Sequence, residues 1–186
     1  VKDNGMNTLR GPVSPSTNDE CGLLVDGFDM PPVMLMPYNP EYYGELLESY
    51  GFKKAKDLFA LWISKDVIKN EQMMNKLDRI SDMIIKKENL TIRKVNLKDF
   101  QNEVQKVREV YNNAWESNWG FVPMTEDEFK HIAANLKMVV DPLYVEFAEI
   151  NGETVGFSLA LPDINQAIEG LNGKLFPFGL FKFLAN

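Results

Sequence analysis

Residues 143–158 read LYVEFAEINGETVGFS and predict a β-hairpin. The central Asn151-Gly152 pair is the dipeptide that most readily adopts the two left-handed positions of a tight hairpin turn. On each side of it apolar and polar residues alternate, as they do in strands with one buried face. In the second strand we expect apolar side chains on one face and small ones on the other: Val155, Phe157, Leu159 and Leu161 against Thr154, Gly156, Ser158 and Ala160.

Two helices are predicted immediately before this hairpin. The first has an apolar face with helical spacing, formed by Phe100, Val104, Val107, Tyr111 and Ala114. Thr125 and Glu128 have the spacing of a capping box, which opens the second helix, and Asp141-Pro142 ends it. A strand is predicted at residues 90–95, so the second half of the chain has the order strand, helix, helix, hairpin.

A longer helix is predicted over residues 66–87, where four apolar residues share one narrow stripe: Met73, Leu77, Ile80 and Ile84. Such a stripe suits a connector that lies against a neighbouring domain. We therefore divide the chain into a first part at residues 1–64, a linker helix at 65–89 and a second part at 90–186.

The first part carries weaker signals. Strands are predicted within residues 6–13, 32–36 and 55–63, and a helix is predicted to begin at Asn39-Pro40 and to stop at Gly51. Helices and strands together place the chain in the mixed α/β (α+β) class, with two partial sheets, flanking helices and a linker helix between them.

Composition excludes several functions. The chain has 27 acidic and 20 basic residues, a net charge of −7, which argues against nucleic acid as a partner. One Cys and one His exclude a disulfide framework and a multi-Cys or His-pair metal site. Because no run of 18 apolar residues occurs, we expect no membrane span and a cytoplasmic protein. Residues 174–186 are apolar and aromatic, and we expect them to pack against further sequence, with a membrane-surface segment as the alternative.

Two local clusters are candidates for a site. In Asn18-Asp19-Glu20, a loop carboxylate near strand ends can act as a base or bind an amine, so Glu20 is a candidate base and Asn18 a candidate substrate-binding residue. The alternative is that Asn18 or Asp19 caps a short helix.

The second cluster lies between the two helices of the second part. Trp115 and Trp119 are candidate walls of a substrate pocket, with Asn118 and Glu116 as polar anchors. The alternative is aromatic packing of this loop onto the hairpin. The sequence contains no glycine-rich phosphate loop and no nucleophile elbow.

The order strand, helix, helix, hairpin, with Asn151-Gly-Glu-Thr-Val-Gly-Phe157, resembles the first half of the GNAT acetyltransferase fold. Residues 39–52 are similar to a late helix of that fold, and residues 55–63 correspond to its closing strand. Three phrases make nearly the whole chain similar to a bacterial group of tandem, two-domain GNAT-like proteins: STNDECG (16–22), WGFVP (119–123) and LPDINQ (161–166).

This resemblance implies acetyl-CoA or another acyl-CoA as cofactor and a small-molecule amine as acceptor. The superfamily holds the CoA pyrophosphate with an Arg/Gln-x-x-Gly-x-Gly/Ala segment at a helix N-terminus, and these 186 residues contain no such segment. We therefore expect a fragment that spans the end of one GNAT-like domain and the start of the next, inactive alone, whose cofactor site lies outside it.

One position departs from the family pattern. Leu47 stands where the family often has a Tyr that acts as general acid, which leaves Tyr43 or Tyr50 for that role or makes the first domain catalytically silent. The resemblance makes an N-acyltransferase the first hypothesis, with Glu20 and Glu116 as candidate bases. A non-catalytic GNAT-like binding or interaction module, which Leu47 favours, is the second. An unrelated α/β domain is the third.

Overall fold

A computed structural model describes residues 2–137, 139–174, 176 and 178–179. It shows the mixed α/β class that the sequence predicts. The helices of this part of the chain are α1 (Tyr43–Ser49), α2 (Lys65–Ile68), α3 (Glu71–Glu88), α4 (Phe100–Trp115), α5 (Glu126–Leu136) and α6 (Ile164–Ile168). Its strands are β1 (Val13–Ser14), β2 (Glu20–Cys21), β3 (Leu90–Lys94), β4 (Val145–Ile150) and β5 (Glu153–Leu159). Most of the apolar stretch 174–186 lies outside the described residues. None of the six helices α1 to α6 has the length and apolar character needed to cross a membrane.

Two compact units make up the structure. The first contains the residues up to Leu58, the short segment Trp119–Val122 and the residues from Asp163 onward, and the second contains Phe59–Asn118 and Pro123–Pro162. The three predicted parts are continuous in sequence, whereas each of these units is made of separate stretches of the chain. Segment Trp119–Val122 consequently belongs with the N-terminal residues rather than with the helices on either side of it.

The second unit is built on an antiparallel sheet in the order β3-β4-β5, with α4 packed against β5 and α5. The predicted order of strand, helix, helix and hairpin is confirmed. Asn151 and Gly152 both have a positive φ, 51° and 83°, as the predicted turn requires. The core centres on β4, where Phe147 is fully buried and Val145 nearly so.

A β-bulge changes the predicted faces of β5. The pairing steps from Ala148–Gly156 to Glu149–Thr154, so Val155 is an extra residue opposite no partner. Thr154 therefore shares a face with Phe157, and Val155 is 47% exposed. The predicted placement of Val155 with Phe157, and of Thr154 opposite them, is wrong for this reason.

The predicted linker helix is two helices. Asn70 interrupts it, because its side chain accepts a hydrogen bond from the Met73 amide at 3.0 Å and so caps the start of α3. At the other end Asn89 adopts the left-handed conformation that commonly stops a helix. The prediction of one continuous helix over residues 66–87 is wrong at residues 69–70.

The strands predicted for residues 1–64 are mostly wrong. Only Val13–Ser14 and Glu20–Cys21 pair, and residues 32–36 and 55–63 form no strand. Prolines stand at both ends of the first of these stretches, and the second has no strand beside it among the residues described.

Helix α1 begins later than predicted. Asn39 does not cap it but binds the backbone of Leu24 instead, accepting from its N–H at 2.8 Å and donating to its carbonyl at 3.2 Å. These bonds satisfy a side chain that is almost fully buried. Gly51, with φ of 91°, follows the helix as predicted.

The predicted capping box of α5 is confirmed. The Thr125 hydroxyl accepts from the Glu128 amide at 3.3 Å, and the Glu128 carboxylate accepts from the Thr125 amide at 2.8 Å. We expect Thr125→Ala to lower the free energy of unfolding by about 1 kcal/mol, since an amide of the first turn loses its acceptor. Urea denaturation followed by circular dichroism measures this change. Thr125→Ser keeps the acceptor and is the control, and equal midpoints for the two variants would argue against a stabilising cap.

Candidate functional site

Within the first unit, the loop at residues 15–19, between β1 and β2, lies against segment Trp119–Val122. The Thr17 hydroxyl donates a hydrogen bond to the Gly120 carbonyl at 3.0 Å, and the Asn18 side-chain amide donates to the Val122 carbonyl at 2.8 Å. Strands β1 and β2 close the base of this loop. Two neighbouring loop residues thus hold two backbone carbonyls of a segment about a hundred positions away.

The Trp119 ring lies beside two positive charges. The guanidinium carbon of Arg10 is 4.7 Å from the ring centroid, and the Lys56 ammonium nitrogen is 5.8 Å from it. Both distances are within the range of cation–π attraction, and 43% of Trp119 is exposed. We call the following residues the Trp119 site: Arg10, Thr17, Asn18, Lys56, Trp119 and Gly120.

Gly120 is required by the geometry of this site. Its φ is +77°, a conformation that side-chain-bearing residues rarely adopt. A Cβ added there would lie 3.2 Å from Nη1 of Arg10, which is tighter than an ordinary contact. The glycine therefore lets the backbone come close to the Arg10 guanidinium.

Two of the sequence-predicted site residues, Asn18 and Trp119, come together in the Trp119 site. Residues 16–19 form a turn, so the alternative in which Asn18 or Asp19 caps a helix is wrong. The Asn18 amide is engaged with the segment that begins at Trp119. The candidate base Glu20 belongs to β2, opposite Ser14, with an exposed side chain.

The other predicted site residues belong to the second unit, at the end of α4. Trp115 stacks on Tyr111 of the same helix, with ring centroids 5.5 Å apart, and is 48% exposed. Glu116 follows the helix with an exposed side chain, and the Asn118 backbone amide donates to the Trp115 carbonyl at 2.8 Å.

Sequence reasoning missed an ionic cluster on the helix-covered face of the sheet. Arg93 of β3 binds both carboxylate oxygens of Glu103 in α4, at 2.6 and 2.9 Å, and its Nε donates to Glu149 of β4 at 2.8 Å. Its guanidinium carbon lies 4.5 Å from the centroid of Phe147. One signal was present, since Glu103 falls next to Val104 on the apolar face of its helix and a buried acid requires a partner.

The pKa values of both acids in this cluster are lowered. Burial alone would raise the pKa of Glu103, but hydrogen bonds from Arg93 and from the Asn96 amide, with the positive charge of Arg93, outweigh it. The hydrogen bond from Arg93 lowers the pKa of Glu149. The pKa of Arg93 is raised in return.

These shifts predict how stability depends on pH. A carboxyl whose folded pKa lies below its unfolded value, near 4.5, stabilises the fold above that pH and loses the contribution as the pH falls through the folded pKa. We therefore expect the free energy of unfolding to fall below about pH 4.5, and to fall less steeply in Glu103→Gln. Urea denaturation across acidic pH measures both slopes, and identical slopes would contradict this role for Glu103.

No group of three or more His, Cys, Asp or Glu side chains in the described part of the chain is arranged to hold a metal ion. The side-chain groups that the Trp119 site offers to a ligand are instead a guanidinium, an ammonium group and an aromatic ring. The guanidinium and ammonium groups recognise anions, and the ring offers apolar surface.

Comparison with known proteins gives two curated bacterial relatives. Protein YghO of Escherichia coli (strain K12) is 40% identical over 184 residues, which cover 99% of this chain and 46% of that protein. The bacterial ceramide synthase of Caulobacter vibrioides (strain NA1000 / CB15N) is 40% identical over 186 residues, covering 99% of this chain and 47% of that protein. The chain therefore spans about half the length of the curated relatives it matches. No family model and no solved structure matches it.

Proposed function

We propose that this chain is part of a GNAT-type N-acyltransferase, which transfers an acyl group from a CoA thioester to an amine. The observation that carries the proposal is the 40% identity, over 99% of the chain, to a protein named bacterial ceramide synthase. A ceramide is the fatty amide of a long-chain amino alcohol, so its synthesis requires a new bond between an acyl carbon and an amine nitrogen.

The architecture of the second unit supports the same proposal. Its β3, α4, α5 and the β4–β5 hairpin follow in the order that the GNAT resemblance implies for the start of that fold. The three strands pair in one antiparallel sheet. Fold order alone leaves the activity open, and the similarity to a ceramide synthase adds the chemistry.

The proposed reaction is direct acyl transfer. The amine nitrogen attacks the thioester carbonyl, a C–N bond forms, and the C–S bond breaks to release CoA as a thiolate that is then protonated. A carboxylate accepts the proton lost by the amine. Glu20 and Glu116 remain the proposed bases, since both carboxylates are exposed and so accessible to an amine.

The proposed acceptor is a long-chain amino alcohol. Trp119 of the first unit and Trp115 of the second are each about half exposed, and each is a separate candidate for an apolar contact with an acceptor. Asn118 is the candidate polar contact in the second unit. Asn18 acts indirectly in this proposal, because its amide holds the backbone at Val122 and thereby positions the Trp119 segment.

Kinetics on a chain extended to the length of the two relatives test this assignment. With a long-chain acyl-CoA and a long-chain amino alcohol, CoA thiol is released only when both are present. Trp119→Ala is expected to raise KM for the amine about tenfold, because an apolar wall is lost. Trp62→Ala removes a Trp that is 80% exposed and is the matched control. An unchanged KM for the amine would remove Trp119 from the acceptor site.

Thiol release is also the measurement that separates the two classes of function. Acyl-CoA turnover that depends on the amine supports the acyltransferase. An extended chain without turnover toward long-chain or short-chain amines would favour the non-catalytic GNAT-like module, which Leu47 in the position of the family's acid also favours.

A further inference from the structure

Two cations at the Trp119 site have no acidic partner in the part of the chain that the structure describes. Among the residues described by the structure, neither Arg10 nor Lys56 forms an ion pair with a carboxylate, whereas nearby Lys54 pairs with Asp57 at 3.0 Å. Asp19 of the adjacent loop accepts a hydrogen bond from the Ser16 hydroxyl. Two like charges therefore lie within about 6 Å of one ring centroid in a chain whose net charge is −7.

The surrounding backbone holds this arrangement in place. The segment that carries Trp119 is fixed by hydrogen bonds from Thr17 and Asn18, and Gly120 leaves room for the Arg10 guanidinium. Each of the two cations attracts negative charge to the surface around the ring. Arg10 and Lys56 therefore both favour an anion at the Trp119 site.

We propose that Arg10 and Lys56 form a binding site for a phosphate-bearing ligand beside Trp119. The planar guanidinium presents parallel N–H donors that match two phosphate oxygens, and the ammonium group adds a second positive charge. The exposed part of the Trp119 ring contacts the organic portion next to the phosphate. This site shares Trp119 with the proposed acceptor surface, but its test measures phosphate binding and does not depend on acyl transfer.

Titration with inorganic pyrophosphate at constant ionic strength tests the site. Tryptophan fluorescence reports binding, and a Trp62→Phe/Trp115→Phe background leaves Trp119 as the only emitter. We expect a saturable change, with Kd at least about tenfold weaker in Arg10→Gln/Lys56→Gln, since charge-assisted hydrogen bonds are lost. Lys53→Gln/Lys76→Gln removes the same charge elsewhere and is expected to keep the parental Kd.

A second arm identifies the source of the phosphate. Sedimentation with phosphatidylglycerol vesicles, compared with phosphatidylcholine vesicles, detects a lipid headgroup. Binding to pyrophosphate supports a soluble ligand, and binding to phosphatidylglycerol vesicles alone supports a lipid phosphate, provided that the Arg10→Gln/Lys56→Gln variant loses it. Binding of neither probe, or equal binding by that variant, would overturn the proposal. Arg10→Lys/Lys56→Arg keeps both charges, so retained binding there separates loss of charge from loss of folding.

Discussion

Phe147→Ala is expected to cost about 3–5 kcal/mol of the free energy of unfolding, because it empties the centre of a core. Phe147 is fully buried in β4, the central strand of its sheet, and it pairs with Phe157 on one side and Arg93 on the other. Truncation removes the ring and leaves a cavity. Strand β4 is hydrogen-bonded to β3 and β5, so it cannot readily move to fill that cavity.

Urea denaturation of the variant, followed by circular dichroism, measures this cost. Ile92→Ala is the matched control, because Ile92 lies on the neighbouring strand β3 but is 52% exposed. We expect it to cost about 1 kcal/mol or less, since much of its side chain already contacts water. Similar midpoints for the two variants would contradict a core centred on β4.

Glu103→Ala is expected to lower the free energy of unfolding by about 2–3 kcal/mol, the second largest effect that we expect. The substitution removes both acceptors of the bidentate pair and leaves Arg93 with Glu149 as its remaining strong partner. Breaking one side of a buried pair leaves a charge without compensation, which costs several kcal/mol when burial is complete. Arg93 is 28% exposed, so water offsets part of that cost.

The matched control for this substitution is Glu109→Ala, which removes an exposed acid from the same helix. We expect it to change stability by about 0.5 kcal/mol or less. A double-mutant cycle with Arg93→Met isolates the interaction between Arg93 and Glu103 from effects on helix propensity. A coupling energy near zero would show that the ion pair does not stabilise the unit.

Local signals in the sequence predicted much of the second unit. Asn151-Gly152 predicts its turn because few other dipeptides adopt two left-handed positions, and Thr125 with Glu128 predicts a cap because both partners lie within one helical turn. The bulge at Val155 was not predictable in this way, since it depends on the register between two strands.

Residues 1–64 were harder to predict for a physical reason. A strand requires a neighbouring strand to pair with. The sequence of an apolar run such as residues 55–63 gives no information about which segment lies beside it. Asn39 illustrates the same limit: its position before Pro40 is typical of a helix cap, yet its amide binds Leu24, fifteen residues away.

The Trp119 site combines both situations. Asn18 and Trp119 were each predicted as site residues from residue type and loop position, but the hydrogen bond from Asn18 to Val122 depends on the tertiary fold. Arg10 and Lys56 have no local pattern that marks them, because isolated basic residues are common on protein surfaces. The structure marks them because both lie close to the ring of Trp119.

Product analysis tests the acyltransferase proposal most directly. The chain, extended to the length of its two relatives, is incubated with a long-chain acyl-CoA and a long-chain amino alcohol, and the lipid product is identified by mass spectrometry. The proposal predicts an N-acyl amide whose formation equals the release of CoA thiol. Release of free fatty acid without amide, or no reaction with any amine supplied, would contradict it.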